Sequence, residues 1–385
     1  MASNRLALVV GAGIGGLAAG VALQRTGWHV RVFERAASPR ELGFALLLAP
    51  NAVSALRAIG VADRVVAAGV VPDSGEIYGT NARFLRAFDT TALRRVLPDP
   101  MAVVLRPALH GVLMDALGAD ALVLGRAATG FTVRDGRPSV VLETGDTVEG
   151  DVLIGADGVG SAIRRALHPD EPPPRSSGLW AIRGVAHDVE RWLDGFSGAT
   201  YFLRGIEAGL ARATRDAVYW YMSVPPRLLR DGRDPAALAA ALVVQFDERY
   251  RRLVFATRPA DMRLDELFDR PPLAEWGRGP VTLLGDAAHP MLPHAGQGAA
   301  QALEDAATLG DALADAGDIP SALRRYEATR QPRTRAITAL SRRNARFGSI
   351  DNALACRLRD LVLRFIPDAL FVKQYVAVGQ RPPLR

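Results

Sequence analysis

The sequence predicts an α/β fold. A parallel sheet with a small antiparallel meander is interleaved with a mostly antiparallel β-sheet, and helices close the C-terminal end. Three observations predict it. Apolar runs at 5–10, 151–155 and 281–284 each pass directly into a glycine-bearing turn and then the start of a small-residue helix, the periodicity of parallel strand–helix units. Between the second and third of these, residues 179–225 alternate apolar strands with turns and contain no helical stretch. From Glu275 onward the strand–turn–helix pattern returns, so the chain leaves the first layer and comes back to it.

The first unit is the most regular. Its strand enters Gly11-Ala12-Gly13-Ile14-Gly15-Gly16, a G-x-G-x-x-G turn, and a small-residue helix follows to about Thr26. Gly11 allows the tight turn, Gly13 lets the backbone approach a pyrophosphate, and Gly16 lets the helix pack on the strand. A second strand, 29–33, ends in Glu34, near the roughly 20-residue offset at which a carboxylate meets ribose hydroxyls. A 2′-phosphate would meet that negative charge, so this Rossmann-like unit suits FAD or NAD rather than NADP.

The third unit reads Gly285-Asp286-Ala287-Ala288-His289-Pro290 through Pro293-His294-Ala295 to Gly296-Gln297-Gly298, which opens an Ala-rich helix. That arrangement aims unpaired N–H groups and a partial positive charge at whatever lies over the loop. The middle unit carries Asp157-Gly158 after its strand, then Ser161 and Arg164 at a helix start.

In this order and spacing the three segments resemble the dinucleotide fingerprint, DG motif and GD motif of the single-component (group A) FAD-dependent monooxygenases, the para-hydroxybenzoate hydroxylase-like family. Gly43 through Pro50-Asn51-Ala52, Arg106 in Val-Leu-Arg-Pro-Ala-Leu, and Tyr326-Glu327-Ala328-Thr329-Arg330 support the resemblance, which covers residues 5–350. It implies non-covalent FAD held by Gly11, Gly13, Gly16, Glu34, Arg35, Arg106, Asp157, Asp286, Gln297 and Gly298. Asp286 would accept a hydrogen bond from a ribityl hydroxyl. Gly296, Gln297 and Gly298 would face the flavin edge that becomes anionic on reduction, and Pro293 would border the reacting carbon. Pro293, Gly296 and Gly298 are thus the catalytic candidates. The implied activity is hydroxylation of an aromatic or polycyclic small molecule through a flavin C4a-hydroperoxide, with O2 and NADH or NADPH as transient co-substrate. Only one nucleotide-binding fold is legible, so the nicotinamide is expected to visit an open groove. The resemblance leaves related chemistries open: epoxidation, Baeyer-Villiger oxidation, reduction, or ligand binding without catalysis.

The remaining elements are expected in order. Residues 76–88 read as a hairpin about Gly79-Thr80-Asn81, and 105–117 as a helix. Residues 121–149 read as an antiparallel meander turning at Asp135-Gly136 and Gly145-Asp146. Strands at 179–185, 200–204, 209–214 and 217–224 form the second sheet. The domains follow: 1–72, 98–170 and 275–345 build the FAD-binding domain. Residues 73–97 and 171–274 build the substrate domain, and 346–385 form C-terminal helices. Tyr201, Arg204, Tyr219 and Tyr221 are the substrate candidates, although strand alternation lets only about half of them face a pocket.

Composition is consistent with this class: 385 residues, 49% hydrophobic and 23% charged, as in an ordinary globular chain. The net charge of +6 comes almost wholly from arginine, Lys373 being the only lysine. The arginines of 324–346 are interleaved with apolar residues at helical spacing and read as a solvated helix face, not a nucleic-acid site. No run approaches the roughly 20 apolar residues of a membrane span, and the single Cys356 fits a reducing cytoplasm. In the tail, Leu354, Leu358, Leu361 and Phe365 form one stripe of a helix that would either cap the body or lie on a membrane surface.

Other chemistries find no support. There is no Gly-Lys-Ser/Thr P-loop or Gly-x-Ser-x-Gly elbow, and no Cys or second acid joins Asp286, His289 and His294 into a metal site. His29, His110, His168 and His187 stand apart. The halogenase pattern Trp-x-Trp-x-Ile-Pro is met only by Trp220-Tyr221-Met222-Ser223-Val224-Pro225, without the second Trp. Two positions depart from the family: Ala300 where many members carry Asn, and Ala45 where many carry Gly, which should crowd the flavin edge. No C-terminal thioredoxin-like extension fits the length.

Overall fold

The computed structural model describes residues 5–38, 44–91, 95–229 and 233–367, together with Val376 and 378–380. Gly43 and Lys373 lie outside the described residues. From the amino end come β1 (Leu6–Val10), α1 (Ile14–Arg25) and β2 (His29–Glu34). β3 (Ala45–Leu48), α2 (Pro50–Ala58) and α3 (Ala62–Ala67) lead to β4 (Ser74–Tyr78) and β5 (Phe84–Asp89). β6 (Ala102–Leu105) runs into α4 (Arg106–Leu117) and β7 (Leu122–Leu124). Next come β8 (Ala128–Arg134), β9 (Arg137–Leu142), β10 (Thr147–Glu149), β11 (Val152–Gly155) and α5 (Ala162–Leu167). The second half opens with β12 (Arg175–Ala186), β13 (Gly198–Phe202), β14 (Glu207–Arg212) and β15 (Val218–Val224). α6 (Pro235–Leu242), α7 (Glu248–Ala256) and β16 (Met262–Asp269) follow, then β17 (Val281–Leu283), α8 (Gly298–Leu313), α9 (Ile319–Gly348) and α10 (Ala353–Phe365).

The expected α/β architecture is present. A five-stranded sheet of order β17-β11-β1-β2-β7 is parallel throughout. β7, expected in the meander, belongs to this sheet instead, and only β8, β9 and β10 form the antiparallel ribbon. Its three residues pair with Val32, Phe33 and Glu34, a run too short to show any periodicity of its own.

α1 packs on one face of the sheet between α4 and α8. The contacts use small residues: a Cβ on Gly310 of α8 would lie 2.9 Å from that of Ala22. α8 is the central helix, with thirteen of its sixteen residues buried, so any polar side chain it carries must be partnered inside the protein.

The second sheet has seven strands, β16-β12-β15-β14-β13-β4-β5. The hairpin β4–β5 joins it because β4 runs parallel to β13. Alternation divides its faces. Ile182, Tyr201, Leu210, Trp220 and Met222 pack against Leu238, Tyr250 and Leu253 of α6 and α7. Arg183, Glu207, Tyr219, Tyr221 and Ser223 belong to the other face, where Leu179 and Ala181 meet Leu292 and Ala345.

α10 packs on the body by its polar side, not by its apolar stripe. Its inward side carries Cys356 and Arg359, the latter bonded to the carbonyls of Phe202 and Leu203. Leu354, Leu358, Leu361 and Phe365 point outward, each more than half exposed. Arg359 donates to both carbonyls at the end of β13, so the polar side of the helix meets the body and the apolar stripe does not. Among the described residues no helix is long and apolar enough to cross a membrane.

Candidate functional site

Because β1, β2, β11 and β17 are parallel, the turns that follow them leave from one edge of the sheet. Gly11–Gly16, Glu34, Asp157 and Gly285–Asp286 are therefore neighbours at the carboxyl ends of the strands, where open α/β sheets form their crevice. Each glycine has a separate task. Gly11 has φ +101°, and a Cβ there would lie 2.5 Å from the Ala156 carbonyl oxygen. A Cβ on Gly16 would sit 1.9 Å from the Gly11 oxygen, so both positions are closed by backbone. A Cβ on Gly13 would meet nothing within 4 Å. The first turn of α1, which lacks a side-chain cap, thus faces open space, a cradle for an anionic group.

Glu34 does more than mark the end of β2. Its Oε2 accepts a 2.9 Å bond from the Ala12 N–H and its Oε1 accepts one from Ala36. On the next peptide, His110 of α4 donates through Nε2 to the Ala12 carbonyl at 2.8 Å. His110 is thus a buried prop of the glycine turn. Arg35 follows Glu34 and is exposed, as is Arg106 at the start of α4. Asp157 caps α5, its Oδ2 accepting from the Ala162 N–H at 2.7 Å. Burial pushes its pKa up, against the Ser161 hydroxyl and the helix N–H groups. Arg164, named with it, is enclosed: it bonds Glu171 and the carbonyls of Ala287 and Ala288.

Asp286 is exposed although it lies deep at the sheet edge. Burial raises its pKa and Asp305 adds to this, while His289 and Arg106 oppose it. A side chain both enclosed and open lines a cleft. The cleft continues along Pro293 and Gly296, also exposed, to the uncapped start of α8 at Gln297 and Gly298. Added Cβ atoms on Gly296 and Gly298 would meet nothing within 4 Å. Gln297 itself is turned inward and buried.

The sequence reading missed what holds this loop. Glu304 and Asp305 of α8 and Arg330 of α9 are fully buried and meet as a charge cluster. Asp305 accepts from the Gly285 N–H at 3.0 Å, His289 Nε2 at 2.6 Å and Arg330 Nε at 2.6 Å. Burial would push Asp305 up, but His289 and Arg330 outweigh it and hold the group at about 2. Glu304 bonds Arg330 and Arg333, and its Oε1 accepts from Asn51 at 2.6 Å. Asn51 also reaches Gln297 Oε1 at 2.9 Å. The cluster thus fixes both the residue before Asp286 and the residue before Gly298. Two adjacent acids in an otherwise apolar, Ala-rich helix were the available signal. Arg330 is not on a solvated face as expected; its charge does not set it apart from its arginine neighbours, and the signal was its place at the end of the Tyr326–Arg330 segment that supported the resemblance.

The substrate candidates divide by face. Tyr219 and Tyr221 lie on the side of the large sheet turned to the cleft, their rings stacked at 6.2 Å. Tyr219 meets Phe44, and Ser223 bonds His294 Nε2 at 2.9 Å, so this face touches the loop before α8. Tyr201 is one strand position out of phase with that face. It is completely buried under α7, stacked on Tyr78, with its hydroxyl donating to Asp247 at 2.8 Å. Arg204 sits in the exposed turn after β13 and pairs with Asp351. Both are removed from the pocket. Ala45 is buried in a small cluster with Val103 and Ala213, and Ala300 lies in the main core. Among the described residues no three His, Cys, Asp or Glu side chains converge on a metal position. An open-sided hollow of about 540 Å³ beside Trp192 and Phe255 lies on the outer side of α7 and gathers no convergent chemistry.

The cradle over Gly13, the carboxylate at Glu34 and the exposed Asp286 suit a dinucleotide lying across the strand ends. Comparison with known proteins agrees. Residues 6–341 match the family model described as FAD binding domain. The chain is 34% identical over 371 residues to the aurachin C monooxygenase/isomerase of Stigmatella aurantiaca, covering 95% of each. It is 33% identical to the 3-amino-4-hydroxybenzoate 2-monooxygenase of Streptomyces cremeus, covering 94% of this chain and 92% of that one. Klebsiella pneumoniae HpxO, solved with FAD and uric acid, superposes with a TM-score of 0.93 at 26% identity, over 100% of this chain and 99% of that one. With the fingerprint, DG and GD turns gathered at one sheet edge, the chain belongs to the FAD binding domain family, among the single-component FAD-dependent monooxygenases.

Proposed function

We propose that the protein is an NAD(P)H-consuming, FAD-dependent hydroxylase of an aromatic or polycyclic small molecule. The observation that carries this is the meeting of two surfaces: the cleft at the carboxyl edge of the parallel sheet opens onto the Tyr219–Tyr221 face of the antiparallel sheet, with His294 and Ser223 in contact between them.

In this reading Gly11, Gly13 and Gly16 present the α1 N-terminus to the pyrophosphate. Glu34, already bonded to two N–H groups, has further acceptor capacity for ribose hydroxyls. Arg35 and Arg106 are exposed and supply positive charge beside the phosphates. Asp157 shapes the DG turn by capping α5, and Asp286 accepts from a ribityl hydroxyl. Gly296, Gln297 and Gly298 place the α8 N-terminus against the ring edge where negative charge develops, and preorganised donors there favour the reduced state. Pro293, rigid and without an N–H, walls the reacting side and helps keep water out. Bound FAD would supply the redox chemistry, oxidation of the nicotinamide coupled to activation of O2 for transfer of one oxygen atom. The buried Cys356 suits a reducing, cytoplasmic setting.

The experiment is substrate-stimulated NAD(P)H oxidation by the FAD-loaded protein across an aromatic panel, with product mass read in parallel. A stimulated rate and a gain of one oxygen are expected. Stimulated oxidation with unchanged product mass across the panel refutes hydroxylation.

A further inference from the structure

We propose that Glu207, with Tyr221 and the Ser223–His294 pair, forms the polar floor of the substrate pocket and selects an uncharged hydroxy- or oxo-arene over a carboxylate-bearing one. This rests on the monooxygenase reading and names its substrate class.

Glu207 and Ser223 are direct ladder partners of β14 and β15, so their side chains stand together on the face turned to the cleft. The Tyr221 ring lies over Gly209, where a Cβ would come within 2.5 Å of it. Its hydroxyl lies 3.3 Å from Glu207 Oε1. The carboxyl also rests on Gly348, the last residue of α9, where an added Cβ would be 2.1 Å from Oε2. The same floor continues through Ser223 to His294, whose Nδ1 is buried without a partner.

What faces Glu207 is uncharged on every side: Tyr221 from β15, Ser223 and then His294 from the loop, and backbone from α9. Arg183 shares the face but is paired with Asp265 at 2.7 Å and lies over the Phe44 ring. Among the described residues no cation bonds Glu207. A buried carboxylate without a counter-ion takes up a proton instead of staying charged. Burial raises the Glu207 pKa to about 8, with only the Tyr221 hydroxyl opposing. Burial alone lowers His294 to about 4. At neutral pH the floor is therefore a carboxylic acid, a phenol, a hydroxyl and a neutral imidazole. It can donate to a ring carbonyl or phenol oxygen and accept from a ring N–H or O–H. These four groups include no cation for a carboxylate, and Arg183 on the same face is already paired with Asp265, so a carboxylate over the floor would be desolvated without compensation.

The test titrates FAD-loaded protein with matched pairs: resorcinol against 3-hydroxybenzoate, and 4-hydroxyquinoline against its 2-carboxylate. Binding is read from perturbation of the flavin absorbance, independent of turnover. The wild type should bind each neutral member at least tenfold tighter, and that affinity should fall above about pH 8 as Glu207 ionises. Glu207→Gln should keep the neutral preference and lose the pH dependence. Glu207→Arg should invert the preference. Where Glu207→Arg fails to fold, Glu207→Gln still decides through the pH profile. Its melting temperature should also lack the wild-type decline between pH 5 and 8, the window in which the unfolded chain has released this proton while the folded carboxyl still holds it. Equal binding of both members, an unchanged profile in Glu207→Gln, or no response to either class overturns the proposal. Protein that takes up no FAD overturns the monooxygenase reading itself, and the proposal with it.

Discussion

Replacing Arg330 with methionine tests whether the buried charge cluster organises the site. Methionine fills most of the volume but leaves Arg333 as the remaining arginine on Glu304, and Asp305 with only His289 and the Gly285 N–H. Breaking a buried pair from one side costs about 3–5 kcal/mol, because the surviving charge stays desolvated. The pH dependence separates this from lost packing. Asp305 is depressed in the native protein, so its contribution is present above its ordinary value of 3.8 and is lost as pH falls through about 2. That difference corresponds to about 2 kcal/mol at neutral pH. Without Arg330 the upward push of burial loses one of its two opponents. Arg330→Met should then be destabilised by about 3–5 kcal/mol at pH 7.5 and by at least about 1 kcal/mol less at pH 5, where protonation relieves the acid that has lost its arginine. Urea unfolding at fixed FAD concentration, at both pH values, measures it. A destabilisation that is equal at pH 5 and 7.5 would refute the electrostatic account and leave only packing.

Two further substitutions probe the cleft and the sheet face. Asp286→Ala should weaken FAD binding roughly ten- to a hundredfold, about 1–3 kcal/mol for a lost hydrogen bond to a buried hydroxyl. Titration of FAD into apo-protein checks it, and an unchanged dissociation constant removes Asp286 from the site. Tyr201→Phe loses the bond to Asp247 and should lower stability by about 1 kcal/mol with KM unchanged, whereas Tyr221→Phe should shift KM; equal KM effects from the two would contradict their assignment to opposite faces.

The strand–turn–helix units were legible because the chemistry that builds them is local. A glycine that must accept φ +101° at Gly11, or touch backbone at Gly16, leaves its mark in the sequence. Strand alternation let only about half of Tyr201, Arg204, Tyr219 and Tyr221 face a pocket, but which of them do so depends on the register between strands and on the partner layer, which alternation within one strand does not carry. The cluster around Arg330 depends on α8 crossing α9 at one point. The acids announced that a partner was required, and the arginine-rich helix offered too many. The side on which α10 docks was not legible, because Arg359 meets two carbonyls at the end of β13 and Asp360 meets the Thr80 N–H, contacts that its apolar stripe does not announce.

The clamp on Ala12 has a kinetic consequence. Glu34 holds the N–H and His110 the C=O of the same residue, so two successive peptide planes of the glycine turn are fixed by protein groups alone. A loop made of such permissive residues would ordinarily sample many shapes and surrender that freedom on binding. Here the freedom is already gone before the dinucleotide arrives. Association is then a docking event with no folding step attached, and its rate should follow diffusion and charge steering instead of loop rearrangement.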